Sequence, residues 1–184
     1  MSSVKKASIC SFCIAICYVL PLVFHALGLG SAFSPMHLPI LLCGLICGRP
    51  YGLFCGIAGP VLASLLSGMP TAIQLIYFIP ELCVYGLASG ILYGLIHTKN
   101  IYADIYLSLL PAMLLGRIVG GIAHMLFYLS TARSYSIALW ISGYFAGTLP
   151  GVIVQLILIP ALVLILQRAR LIPDRYPYER TAEQ

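Results

Sequence analysis

Residues Ser34 to Pro70 read SPMHLPILLCGLICGRPYGLFCGIAGPVLASLLSGMP, two short apolar runs folded back on each other at Arg49-Pro50-Tyr51-Gly52. Both outer ends, Ser34-Pro35-Met36-His37 and Ser67-Gly68-Met69-Pro70, are turn-forming and polar, since Gly and Pro punctuate regular structure. A hairpin that is apolar all round has no face for water and belongs in lipid, where a helix satisfies its own backbone. Its two outer ends then meet on one membrane face, which makes that face the first candidate for a binding site.

Composition extends this to the whole chain. Of 184 residues, 61% are hydrophobic and 8% charged, whereas soluble domains carry about 25% charged residues. Spans of about 20 apolar residues each use up the length and leave no room for a soluble catalytic domain. The pattern predicts a single all-α membrane domain of six transmembrane helices, over residues 7–30, 36–48, 51–67, 71–96, 105–129 and 138–166, with a basic tail over 167–184. Lys5 and Lys6 precede the first run, which exceeds the roughly 7 to 15 residues of a signal-peptide core and is read as a spanning helix. The second and third spans are short, and Pro39 and Pro60 are expected to leave backbone groups for neighbouring protein or a cavity to cover.

Orientation follows from the basic residues. With the N-terminus in the cytoplasm, Lys5, Lys6, Arg49, Lys99, Arg168, Arg170, Arg175 and Arg180 share the inner side and only Arg133 lies outside. The positive-inside rule thus places both termini in the cytoplasm. The net charge of +5 is scattered along one membrane face, which makes it a topological signal and not a nucleic-acid footprint. The seven cysteines all lie in apolar runs. Their odd number argues against a disulfide framework, and Cys10, Cys13 and Cys17 read as small packing residues in preference to a metal or redox site.

Glu81, Arg117 and Gln155 are polar groups inside the spans. A charged group there costs about 2.5 to 3.5 kcal/mol on insertion scales and therefore faces an interior with a partner. One reading pairs Glu81 with Arg117 to hold the fourth and fifth helices together. The other offers them to a polar ligand, a guanidinium fork being suited to a carboxylate or phosphate. His25, His37 and His124 fall toward the outer face, where hydrogen bonding at the interface is favoured over a nickel or cobalt site. Tyr77, Tyr85, Tyr128, Trp140 and Tyr144 mark the outer ends or inner faces of the last three spans, as anchors or as the walls of a pocket. Ser142-Gly143 lacks the surroundings of a hydrolase nucleophile and no phosphate-cradling loop is present, so neither catalysis nor a cofactor is expected. Ala7, Ser11 and Ala15, four residues apart, lay a strip of small side chains along one face of the first helix, where another helix can approach.

Taken in order, Leu20-Pro21 with Phe24-His25, Pro35-Met36-His37-Leu38-Pro39, Gly68-Met69-Pro70, Glu81 with Tyr85-Gly86, Gly116-Arg117, and Pro150-Gly151 with Gln155 resemble the substrate-binding S components of energy-coupling factor (ECF) vitamin transporters. Within that class the chain is most similar to the pantothenate and folate branch, with pantothenate favoured. The resemblance implies an S-component-like six-helix bundle in the bacterial cell membrane that captures a small-molecule vitamin near the outer face. It also implies partnership with a transmembrane T component and two cytoplasmic ATPase subunits that drive uptake. The Ala7, Ser11, Ala15 strip matches the family's docking pattern for the T component, with serine in the place of the central alanine.

Depth and polarity select Arg117 as the anion site, with Glu81 and Gln155 around the ligand and His37, Tyr77, His124 and Tyr144 as wall and lid. Folate, cobalamin or a queuosine precursor are alternative solutes. A membrane scaffold or assembly factor, with Glu81 and Arg117 as a structural pair, is the alternative of a different class. A self-sufficient secondary transporter is disfavoured because no inverted repeat is visible.

Overall fold

In a computed structural model of the chain, residues 1–26, 28, 35–130, 137–143 and 147–176 are described, and their regular elements are all helical. In chain order these are α1 (Ser3–Ala26), α2 (His37–Cys47), α3 (Arg49–Ser67), α4 (Ala72–Leu95), α5 (Ile101–Ser130), α6 (Ile137–Ile141) and α7 (Leu149–Arg168). Five of them, α1, α3, α4, α5 and α7, are long and apolar enough to cross a membrane.

The second expected span is the exception. The 11 residues of α2 rise about 16 Å at 1.5 Å per residue, roughly half of a 30 Å hydrocarbon core. Pro39 does not interrupt this helix; it lies in the first turn, where a missing N–H costs no helical bond. Gly48, at φ 89°, ends α2 and directly precedes α3. Pro50 sits in the first turn of α3, so that helix begins two residues before the expected 51. Pro60 is inside α3 and buried, where neighbouring helices cover the backbone it frees.

The last expected span, 138–166, is two helices. After α6, Gly147 and Thr148 form a turn, and Pro150 starts α7 at its first positions. Apolar character runs through the whole segment, so hydropathy alone does not register a break that Gly147 and Pro150 impose on the backbone. Elsewhere local chemistry fixes the ends. Gly68 closes α3 in the left-handed conformation, and Thr71 with Gln74 makes a reciprocal capping box at the start of α4.

The centre of the bundle is α2, α3 and α4 in backbone contact. A Cβ on Gly56 would stand 2.6 Å from the Leu82 carbonyl oxygen, and one on Gly52 or Gly86 would run into the other helix's carbonyl. Lipid supplies no hydrophobic drive between helices, so close approach of small residues is what makes such a seam stable. Ser89 adds polar ties, donating to the Leu41 carbonyl at 3.3 Å. Against this unit α1 packs the face carrying Cys10, Cys13 and Cys17, where the thiols of Cys10 and Cys43 both reach the Tyr51 carbonyl, at 3.6 and 3.5 Å. The cysteines of the described structure are free thiols, and those from Cys10 to Cys55 fill the joint among α1, α2 and α3.

Helix directions alternate from α1 to α5. Tyr51 bonds the Ser3 carbonyl, Gly90 abuts Arg49, and Arg175 beyond α7 bonds the Tyr93 carbonyl. The start of α1, the α2–α3 junction, the α4–α5 turn and the end of α7 therefore lie together at one end, termed proximal. The α3–α4 turn, the end of α5 and the start of α7 lie at the other, distal end. Lys5, Lys6, Arg49, Lys99, Arg168, Arg170 and Arg175 are all proximal; Arg133 and Arg180 lie outside the described residues.

Candidate functional site

Because α2 stops half-way, its first residue, His37, ends among α4 side chains inside the bundle. His37 Nε2 lies 3.2 Å from Glu81 Oε1, and the Tyr85 hydroxyl donates to the same oxygen at 3.1 Å. The Tyr85 ring meets His37 edge-on with centroids 4.8 Å apart. All three residues are buried, Glu81 to 4% exposure and His37 to 7%. The side-chain partners of Glu81 are thus His37 and Tyr85, the first of them from α2 where the sequence reading looked to Arg117 on α5. A carboxylate at that depth is tolerable because it accepts two hydrogen bonds.

The seam between α4 and α5 explains how these groups fit. Residues four apart share a helix face, and Tyr77, Glu81 and Tyr85 form such a row. Opposite them stand His124, Gly120 and Gly116. A Cβ on Gly120 would be 2.7 Å from Glu81 Oε2, and one on Gly116 would be 2.5 Å from the Tyr85 ring. Two glycines thus make room for the carboxylate and the phenol, and at the third rung the side chains stack. Tyr77 and His124 lie 4.0 Å apart at 11°, with Phe127 and Tyr128 against them.

Arg117, 7% exposed, follows Gly116 on α5 and faces the start of α7, where its Nη1 donates to Thr148 Oγ1 at 2.8 Å. Its carbonyl accepts from Trp140 Nε1 at 3.3 Å, and Gly121 leaves the space that the indole fills. Gln155 is buried two turns along α7 from Thr148, on the face that also buries Gly151. Counting from the proximal helix ends at about 1.5 Å per residue, Glu81, Arg117 and Gln155 lie about 20 to 24 Å up, in the distal half.

Of the residues selected from sequence, the structure joins His37 with Glu81 and stacks Tyr77 on His124, and it buries Arg117 against the start of α7 and Gln155 on α7 itself. Tyr144 lies outside the described residues. His25 is exposed on the last turn of α1, away from this cluster, and among the described residues no three His, Cys, Asp or Glu side chains come together as a metal site. Two polar participants were missed by reading Tyr85 and Trp140 as aromatic anchors or pocket walls. The signal for Tyr85 was its place four residues after Glu81. Thr148 had only its position just before the Pro150 start of α7.

The cluster offers hydrogen-bond acceptance at Glu81 and donation at Arg117, within walls of aromatic rings. Such a constellation orients a solute bearing both an anionic group and hydroxyl or amide donors.

A family model for the substrate-specific component of ECF transporters matches residues 5–163. The chain belongs to that family. It is therefore a multi-pass membrane protein and the substrate-binding subunit of an ECF transporter, a transport subunit that takes a small-molecule substrate and works with T and ATPase subunits. No curated protein and no solved structure matches it.

Proposed function

We propose that the chain captures a vitamin, pantothenate in first place, from outside a bacterial plasma membrane and that the ligand is held at the distal cluster. The observation that carries this reading is the set of polar side chains formed by buried His37, Glu81 and Tyr85 and by buried Arg117 with half-buried Thr148, above the point where α2 ends short. Pantothenate has a carboxylate for the Arg117 fork and hydroxyl and amide groups for Glu81 and Gln155. Tyr77 and His124 form the rim in this reading, and Tyr144 belongs to the lid. The six-span topology with both termini cytoplasmic is supported by the gathering of basic residues at the proximal end.

The docking strip is supported by exposure. Ala7, Ser11 and Ala15 all lie on the outward face of α1, opposite the buried cysteines, where the helix of a T component can lie close. Energy for uptake comes from the ATPases.

Calorimetric titration of the detergent-purified chain with pantothenate, folate, riboflavin and cobalamin tests the proposal, with Arg117→Ala beside the wild type. Tight binding of one compound, abolished in a variant that still elutes as folded monomer, is the expected outcome. Equal binding by the variant would remove Arg117 from the site, and pantothenate giving way to another vitamin would correct the substrate.

A further inference from the structure

At the proximal end, far from the cluster, Asp104 in the first turn of α5 is fully buried and collects hydrogen bonds from two other segments. Thr98, in the α4–α5 turn, donates from its amide and its hydroxyl, both at 2.7 Å. From beyond α7, Arg175 Nε donates at 2.5 Å and the Tyr176 hydroxyl at 2.5 Å. The same guanidinium closes the last turn of α4 by bonding the carbonyls of Tyr93 and Ile96 and lies over the Tyr93 ring, 3.7 Å from its centroid. The Lys99 amide donates to the Tyr176 hydroxyl at 3.1 Å. One carboxylate and one guanidinium thus fasten the segment that follows α7, itself tied to the helix where Gln167 Nε2 donates to the Pro173 carbonyl at 3.4 Å, to the ends of α4 and α5.

Those three helices carry the distal cluster: Glu81 and Tyr85 on α4, Arg117 on α5, Gln155 on α7 with Thr148 at its cap. At the distal end α7 is tied to α5 through Thr148 and Arg117, and midway the Tyr106 hydroxyl donates to the Leu156 carbonyl at 3.2 Å. A ligand that takes hydrogen bonds from Arg117 competes with the distal tie, which leaves the proximal clasp to hold α7 in register. A hydrogen-bonded charge pair whose carboxylate is fully buried is suited to this, because a shifted geometry leaves that charge without compensation.

We infer that Asp104 and Arg175 are positioning residues for the ligand site, setting the placement of α7 about 20 Å away along α5. Calling the distal cluster a ligand site rests on the function proposed above; the mechanical link does not. Trp140, the single tryptophan of the chain, reports on it without any ligand, because its indole bonds the carbonyl of Arg117 and α6 leads into α7.

The experiment measures Trp140 emission, acrylamide quenching and melting temperature in the purified full chain and in Asp104→Asn, Arg175→Lys and Tyr176→Phe. Gly59→Ala serves as control, since its added methyl presses on Cys17 of α1, away from the three helices that the clasp joins. Expected are red-shifted emission and greater quenching in the clasp variants, graded with the contacts removed, and an unchanged spectrum in Gly59→Ala despite its lower melting temperature. Should Asp104→Asn not fold, Tyr176→Phe still removes one clasp contact from an intact ion pair and decides the matter. Clasp variants with lower melting temperature and wild-type Trp140 emission would show a local fastening only and overturn the inference. Failure of every vitamin to bind would refute the proposed function and leave this readout standing.

Discussion

The α2–α3–α4 unit and α7 are held in opposite ways. In the first, backbones touch: Gly52 meets Gly86, Gly56 meets the Leu82 carbonyl, and a side chain at any of these positions collides with main chain. The fastenings of α7 are side chains, with Thr148 on Arg117, Tyr106 on the Leu156 carbonyl and the Asp104–Arg175 clasp, over packing by Ile159 and Val163. Backbone contact admits one arrangement, whereas side-chain ties can be exchanged for ties to a ligand. A rigid floor carrying His37 and Glu81, beside a wall carrying Thr148 and Gln155, suits a protein that must take up and then release its substrate.

The largest effect should come from breaking the floor. Gly86→Leu forces a branched side chain into the Gly52 carbonyl and is expected to cost about 3 kcal/mol or more, seen as loss of the monomer peak in fluorescence-detected gel filtration. Gly94→Ala on the same helix, where the added methyl meets nothing within 4 Å, is expected to be neutral or to raise stability by up to about 1 kcal/mol. Next comes Glu81→Ala, which takes the shared acceptor from His37 and Tyr85 and should lower stability by about 1 to 3 kcal/mol in thermal melts while reducing ligand binding.

Cutting the wall's distal tie sharpens the contrast. Thr148→Val removes the hydroxyl that Arg117 meets and is expected to change Trp140 emission with a stability loss of only about 1 kcal/mol. An effect as large as that of Gly86→Leu would erase the distinction between floor and wall. The smallest effect belongs to Tyr106→Phe, which loses one partly exposed bond to Leu156 and should lower the melting temperature slightly with ligand affinity unchanged.

Much of the helical layout was legible in the sequence because long apolar runs have one solution in lipid. Thr71, Gly68 and Pro50 marked helix ends by known local chemistry. The turn at Gly147 and Thr148 before α7 was not legible, because apolar residues lie on both sides of it and hydropathy is blind to backbone breaks. Neither was the partner of Glu81. Burial at similar depth suggested Arg117, but the partner depended on how far α2 reaches, and that is set by Gly48 at its far end. The clasp was also hidden, since Asp104 and Arg175 are 71 residues apart and each sits in a segment that reads as solvated.

The most direct measurement is native mass spectrometry of the detergent-released chain after incubation with an equimolar vitamin mixture, wild type beside Arg117→Ala. Expected is a single adduct of one ligand per wild-type chain, absent from a variant that still elutes as a folded monomer. A folded wild-type chain that carries no adduct from the mixture, or an adduct that persists in Arg117→Ala, would contradict vitamin capture at the distal cluster.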